Sequence, residues 1–102
     1  MWHSAALRFA SDHPTAAGHF PANPIIPGAL LLDEVVAAIA QEAGIASIVV
    51  RAAKFLQPVR PGETVALRWE ARADGAVRFE CQRAGELGLA MTGMLEIRQD
   101  PG

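Results

Sequence analysis

Two hydrophobic periods divide the chain. From Gly28 it reads GALLLDEVVAAIAQEA, with apolar positions at Leu30, Leu31, Leu32, Val35, Val36, Ile39 and Ala40. The run holds no proline, is rich in good helix formers, and is followed by Gly44, a suitable left-handed stop. A helix is predicted from about Gly28 to Ala43. Its apolar positions cover most of the circumference rather than one stripe, the pattern of a helix buried by neighbours on several sides.

After Gly44 the period drops to two. ASIVVRAAKFLQPV is β-branched and ends at Pro58, and Pro61-Gly62 marks a turn. Val65, Leu67, Trp69 and Ala71 then alternate with polar or small residues. Asp74-Gly75 signals a hairpin, and Val77, Phe79 and Cys81 alternate with Arg78, Glu80 and Gln82. After a turn at Gly85, Leu87, Leu89, Met91, Leu95 and Ile97 are expected to share one face. Ahead of the helix, Ala5 to Ala10 reads as a short strand, and Ser11 to Pro27 as a loop rich in Gly, Pro, Ala and His.

Strand, loop, helix and four meandering strands make one antiparallel α+β domain over residues 1–102. The sheet is expected to curl around the helix. One layer of sheet cannot cover an all-round apolar helix, so a second subunit is expected to complete the burial. Hydrophobic residues make up 51% of the 102 and mean hydropathy is +0.19, which adds weight to an intersubunit surface.

Net charge of −2 gives no global attraction to nucleic acid. Cys81 is the single cysteine, which rules out an internal disulfide and a cysteine-built metal site. No basic region followed by an apolar run stands at the N-terminus, and the longest apolar stretch, Ile25 to Leu32, is broken by Pro27 and too short to span a membrane. A soluble cytoplasmic protein is the expectation.

The candidate chemistry lies in GHFPANPIIPGALLLDEV, Gly18 to Val35. Pro21, Pro24 and Pro27 fix their own φ and hold Phe20, Asn23 and Ile26 toward extended geometry, so the loop is a stiff mount for a side chain. The helix opens at Pro27-Gly28 with no Ser, Thr, Asp or Asn to cap it. Two readings follow: a tight turn with solvated N–H donors, or an oxyanion site at a helix N-terminus where a glycine permits close approach. Asp33 and Glu34 point about 100° apart on this helix. One of them suits the helix dipole; at least one is expected in apolar surroundings, where desolvation favours the protonated acid. His19 alone is ambiguous. A metal site using His13 and His19 matches no standard ligand spacing, and none is expected. Cys81 and Trp69 fall at core period.

Taken together, these residues resemble the hot-dog-fold β-hydroxyacyl-acyl-carrier-protein dehydratases. That family's pattern is Gly-His-Phe-Pro, two residues, Pro, two residues, Pro-Gly, then an acid fourteen residues after the histidine. Here these are Gly18-His19-Phe20-Pro21, Pro24, Pro27-Gly28 and Asp33. KFLQPVRPGETVAL, from Lys54, is similar to the family's strand–turn–strand. The resemblance covers most of the chain, and its aspartate places it with the branch that includes dehydratase/isomerases. It also selects Asp33 over Glu34, leaving Glu34 as a dipole partner.

The resemblance implies a cofactor-independent dehydration of a 3-hydroxyacyl thioester, on acyl carrier protein or coenzyme A, in fatty acid, polyketide or aryl-polyene synthesis. By the same resemblance His19 takes the C2 proton, the Gly28 N–H holds the carbonyl oxygen, and Asp33 assists loss of the C3 hydroxyl. Phe20, Pro27, Ala29 and Leu30 are the implied substrate contacts. The family is a dimer or higher homo-oligomer, with histidine and acid from opposite subunits. Carrier protein is acidic, which makes Arg51, Lys54, Arg60 and Arg68 candidate docking residues, although scattered surface charges would read the same way. Three departures stand out: Ala37 replaces the usual glutamine one turn after the acid, few residues precede His19, and SDHPTAA is less bulky than usual. Two alternatives remain, a hot-dog acyl thioesterase and a non-catalytic thioester-binding dimer module, and His19 favours the dehydratase over both.

Overall fold

The computed structural model describes residues 1–9, 25–44, 47–85 and 88–98. His13, Gly18, His19, Phe20, Pro21, Pro24 and Leu87 lie outside them, as does Ala10. The elements run β1 (His3–Arg8), α1 (Gly28–Ala43), β2 (Ser47–Phe55), β3 (Thr64–Ala71), β4 (Ala76–Arg83) and β5 (Leu89–Arg98). All five strands form one antiparallel sheet in the order β1-β3-β4-β5-β2. The helix approaches β2 and β1, the two edges of the sheet, so the sheet curls around it. This is the hot-dog fold. Among the described residues no helix is long and apolar enough to cross a membrane.

The turns follow from their glycines. Glu63 N–H donates to Arg60 O across Pro61-Gly62, and Gly62 has φ 87°, a type II turn with proline and glycine where that turn needs them. Past β3, Arg72 N–H donates to Ala76 O at 2.7 Å and closes a loop of three residues, Ala73 to Gly75. Gly75 takes the left-handed position (φ 86°) that such a loop requires.

Alternation holds on the inner face of the sheet. Val65, Leu67, Trp69, Val77, Phe79 and Cys81 are buried, paired across the ladder as Leu67↔Cys81 and Trp69↔Phe79. Ala71, expected on this face, is exposed at the hairpin end. Leu89 also departs from expectation. The β4–β5 register slips between Cys81↔Met91 and Gln82↔Leu89, so Ala90 is an extra residue and Leu89 is moved to the side of Gln82. A bulge reverses the facing of everything beyond it, which is why Ala90 is buried and Leu89 is not. Strand β1 starts two residues earlier than expected because its register on β3 begins at His3↔Trp69. The two rings stack there with centroids 5.5 Å apart.

The helix runs from Gly28 to Ala43, as its sequence predicts, and stops at Gly44 in the left-handed conformation with its N–H bonded to Ala40 O. Its burial differs. Within the chain the helix buries one stripe, Leu31, Val35 and Ile39, at spacing i, i+4, i+8. Leu30, Leu32 and Val36 are half-buried at its flanks, and Ala29 and Ala37 are exposed. The all-round apolar pattern overstates what a single sheet layer covers.

Candidate active site

Pro27 occupies the N-cap position with φ −56° and ψ 141°, and no side chain caps the helix. The first intrahelical bond is Leu31 N–H to Pro27 O at 3.1 Å. The N–H groups of Gly28, Ala29 and Leu30 therefore have no partner inside the helix and point out of its positive end. The helix start is fixed by its neighbours. Ile26 N–H donates to Val59 O at 2.7 Å, and both side chains are buried. Beyond β2, Leu56 N–H and Gln57 N–H both donate to Ala90 O, at 2.8 and 3.3 Å. The bulge in β5 thus holds the segment that faces the helix start.

Between these two pieces lies an open groove of about 430 Å³. Its lining includes Gly28, Ala29, Phe55, Gln57, Val59 and Ala90. Gly28 matters for its missing side chain: a Cβ there would sit 2.8 Å from two ring atoms of Phe55. The ring lies directly over the helix start, and Phe55 is 55% exposed. Backbone donors, a largely apolar wall and a glycine permitting close approach make a groove able to hold a carbonyl oxygen as it gains charge.

Of the substrate contacts implied for the described residues, Ala29 lines this groove. Pro27 occupies the cap instead, and Leu30 is half-buried beside it. Asp33 and Glu34 are exposed and are not among the lining residues. The expectation of a desolvated carboxyl is not met within the chain, and helix geometry explains why. Asp33 stands two positions from Leu31 and from Val35, about 200° around the helix, so it points away from the core. Ala29 and Ala37 lie one turn to either side of it and are exposed with it. The dipole role expected of Glu34 is corrected too. No acid stands in the first turn of α1, and the dipole acts within that turn.

Sequence reasoning left Phe55, Gln57, Val59 and Ala90 unassigned. The first three stand in KFLQPV, whose family resemblance marked the place without giving roles. Ala90 is brought in by a bulge that no local pattern announces.

A polar cluster backs the groove. Arg83 grips Glu63 through two parallel bonds, Nη2 to Oε1 at 2.8 Å and Nε to Oε2 at 3.1 Å. Its Nη1 donates to Gln57 Oε1 at 3.0 Å. The pair is largely shielded, with side chains 14% and 18% exposed. The Arg83 hydrogen bonds hold the Glu63 carboxyl below its ordinary value of 4.5, against a smaller opposing effect of burial; Glu63 in turn raises Arg83. Cys81 is inert packing: burial pushes its thiol up to about 12. Among the docking candidates, Arg51 is paired with Glu96 at 2.9 Å. Arg68 is paired with Glu80 at 3.1 Å and lies over the Trp2 ring at 4.5 Å. Lys54 and Arg60 are exposed and make no ion pair among the described residues.

Comparison with known proteins puts names beside this geometry. The family model described as ApeI-like, ApeI dehydratase, matches residues 3–93. The 3-hydroxyacyl-(acyl-carrier-protein) dehydratase FabZ of Ruminiclostridium cellulolyticum is 32% identical, over 86% of this chain and 75% of that protein. FabZ of Chlamydia trachomatis is 36% identical, over 58% of this chain and 46% of that protein, so the chain spans about half the length of that relative. The dehydratase heterocomplex ApeI:P from Xenorhabdus doucetiae superposes with a TM-score of 0.74 at 22% identity, over 96% of this chain and 88% of that one. At that identity the match shows a common fold.

Proposed function

Because the chain belongs to the ApeI-like dehydratase family, we propose that it converts 3-hydroxyacyl thioesters on acyl carrier protein to trans-2-enoyl thioesters. The observation that carries this reading is the uncapped helix start opening into the groove at Gly28, with Asp33 fourteen residues after His19. In the proposed reaction His19 takes the C2 proton. The thioester oxygen gains enolate charge and is held by the Gly28 N–H. The C3–O bond breaks, Asp33 gives its proton to the departing hydroxyl, and water leaves as the C2–C3 double bond forms. The reaction as written uses no cofactor or metal.

A homodimer completes the proposed site. Asp33 faces away from its own chain's core, so a second copy against that helix face would bring it a histidine from across the interface. The edge strand β2 suits such a contact: Val50 and Phe55 on it, and Leu56 beyond it, are exposed at 40%, 55% and 43%. Phe20 is a substrate contact in this proposal, alongside Ala29. Lys54 and Arg60 are the more available docking residues for an acidic carrier, because Arg51 and Arg68 already have anionic partners. The proposed setting is cytoplasmic.

The test is to incubate the protein with a 3-hydroxyacyl thioester and, separately, with its enoyl counterpart, following the conjugated double bond and free thiol. Interconversion that vanishes in His19→Ala and Asp33→Asn is the expected result. Thiol release without interconversion would replace this reading with a thioesterase. Binding with neither reaction would leave a non-catalytic module.

A further inference from the structure

The three atoms nearest to the place of a Gly28 side chain belong to one ring: Phe55 Cδ1, Cε1 and Cγ, at 2.8, 2.8 and 3.3 Å from a Cβ built there. A Cβ stands about 2.5 Å from the nitrogen of its own residue, so the Cδ1–Cε1 edge of the ring lies within about 5.5 Å of the Gly28 nitrogen. Phe55 and Gly28 both line the groove, so the ring and the backbone donor share one space. The backbone of Phe55 is held in place. It pairs with Met91 in the sheet, and the next residue, Leu56, donates its N–H to Ala90 O at 2.8 Å. The ring can leave the helix start only by turning about its own side-chain bonds.

A thioester oxygen bound at the Gly28 N–H brings C2 of the acyl group into the same space. The oxygen stands about 2.9 Å from the nitrogen, and C2 is two bonds further on, so C2 also falls within about 5.5 Å of that nitrogen. An unbranched acyl chain has only hydrogens at C2 to turn toward the ring. A methyl on C2 needs room that the ring fills. We propose that Phe55 selects the acyl group, favouring thioesters unbranched at C2 over their 2-methyl analogues. This rests on the thioester reading of the groove, and it adds the class of acyl chain that the groove admits. The wall is a soft one, because the ring is 55% exposed and can be pushed aside. Holding it off its preferred rotamer corresponds to a penalty of roughly two- to tenfold in affinity. The ring stands on one side of Gly28, so the penalty should fall more heavily on one enantiomer of the 2-methyl compound.

Binding measures this selection without requiring turnover. The probes are N-acetylcysteamine thioesters of three saturated acids: butanoic, 2-methylbutanoic as separate enantiomers, and 3-methylbutanoic. The last carries its branch one carbon further from the carbonyl and controls for added size. Calorimetry on the intact protein is expected to show at least one 2-methyl enantiomer bound roughly two- to tenfold more weakly than the butanoyl probe, with the 3-methyl probe spared. Phe55→Ala should abolish that difference, whatever it does to the affinity for all the probes together, and Phe55→Leu should reduce it. The ring is half exposed, so neither change should unfold the chain, and thermal unfolding checks this. No 2-methyl penalty in the unaltered protein, an equal penalty for the 3-methyl probe, or a penalty that persists in Phe55→Ala overturns the proposal. Failure of the butanoyl probe to bind overturns the thioester reading along with it. The expected pattern in a chain that never interconverts hydroxyacyl and enoyl thioesters would retain the role of Phe55 and overturn the dehydratase reading instead.

Discussion

Gly28→Ala separates a glycine kept for folding from one kept for the groove. The added methyl would sit 2.8 Å from Phe55 Cδ1 and Cε1, so one of them must move. Backbone cannot yield cheaply, because Ile26 and Val59 hold the helix start. The Phe55 ring can, since it is 55% exposed. Holding it off its preferred rotamer costs about 0.5–1.5 kcal/mol. Alanine in place of glycine in a helix returns up to about 1 kcal/mol. The two nearly cancel, leaving stability within about 1 kcal/mol and the melting temperature within about 8 °C. Activity should not be spared. The displaced ring and the new methyl both crowd the proposed oxyanion donors, and loss of one such donor typically costs about 100-fold or more. Thermal unfolding followed by circular dichroism, with kcat/KM on a 3-hydroxyacyl thioester, checks both sides. A large melting loss with activity reduced only in proportion would refute the reasoning, as would unchanged kcat/KM.

Other expectations are more local. Gly93→Ala should destabilise by about 1–3 kcal/mol or more, read by urea unfolding, because its Cβ would run into the buried Phe79 ring and meet Ala52 O at 2.6 Å. Ile39→Ala, at a side chain 1% exposed, should cost about 2–5 kcal/mol in the same measurement. Cys81, with its thiol near 12 and no exposed surface, should resist alkylation in the native protein and react on unfolding, as mass spectrometry would show. Glu63 has a folded-state pKa below its ordinary 4.5, so its contribution is complete above that value and lost as pH falls through the folded one. Glu63→Gln should therefore flatten the acid side of the stability profile and leave its alkaline side in place.

What could be read in the sequence was local. The helix bounds, the Pro61-Gly62 turn and, Ala71 apart, the inner faces of β3 and β4 each depend on neighbours in the chain, and each is found where expected. What escaped depends on register or on a neighbouring layer. Ala90 enters the groove because β4 and β5 slip by one residue. The helix buries one stripe because one sheet layer meets it from one side. Asp33 was selected by its spacing from His19, and its exposure within the chain follows from standing opposite that stripe. Gln57 gave no sign of its orientation, which comes from Arg83 and Glu63, residues 26 and 6 positions away.

The bond from Ile26 N–H to Val59 O gives the groove a rate of its own. It joins the approach to the helix with the segment on the opposite wall, at 2.7 Å and between two buried side chains. That amide proton can reach solvent when the walls part, and the Ile26 and Val59 side chains must then separate as well. Its exchange with deuterium counts those partings directly, on a timescale set by the molecule and not by any substrate. Any parting of the walls at this seam would be read there, and the seam lies at the foot of the helix that carries Asp33.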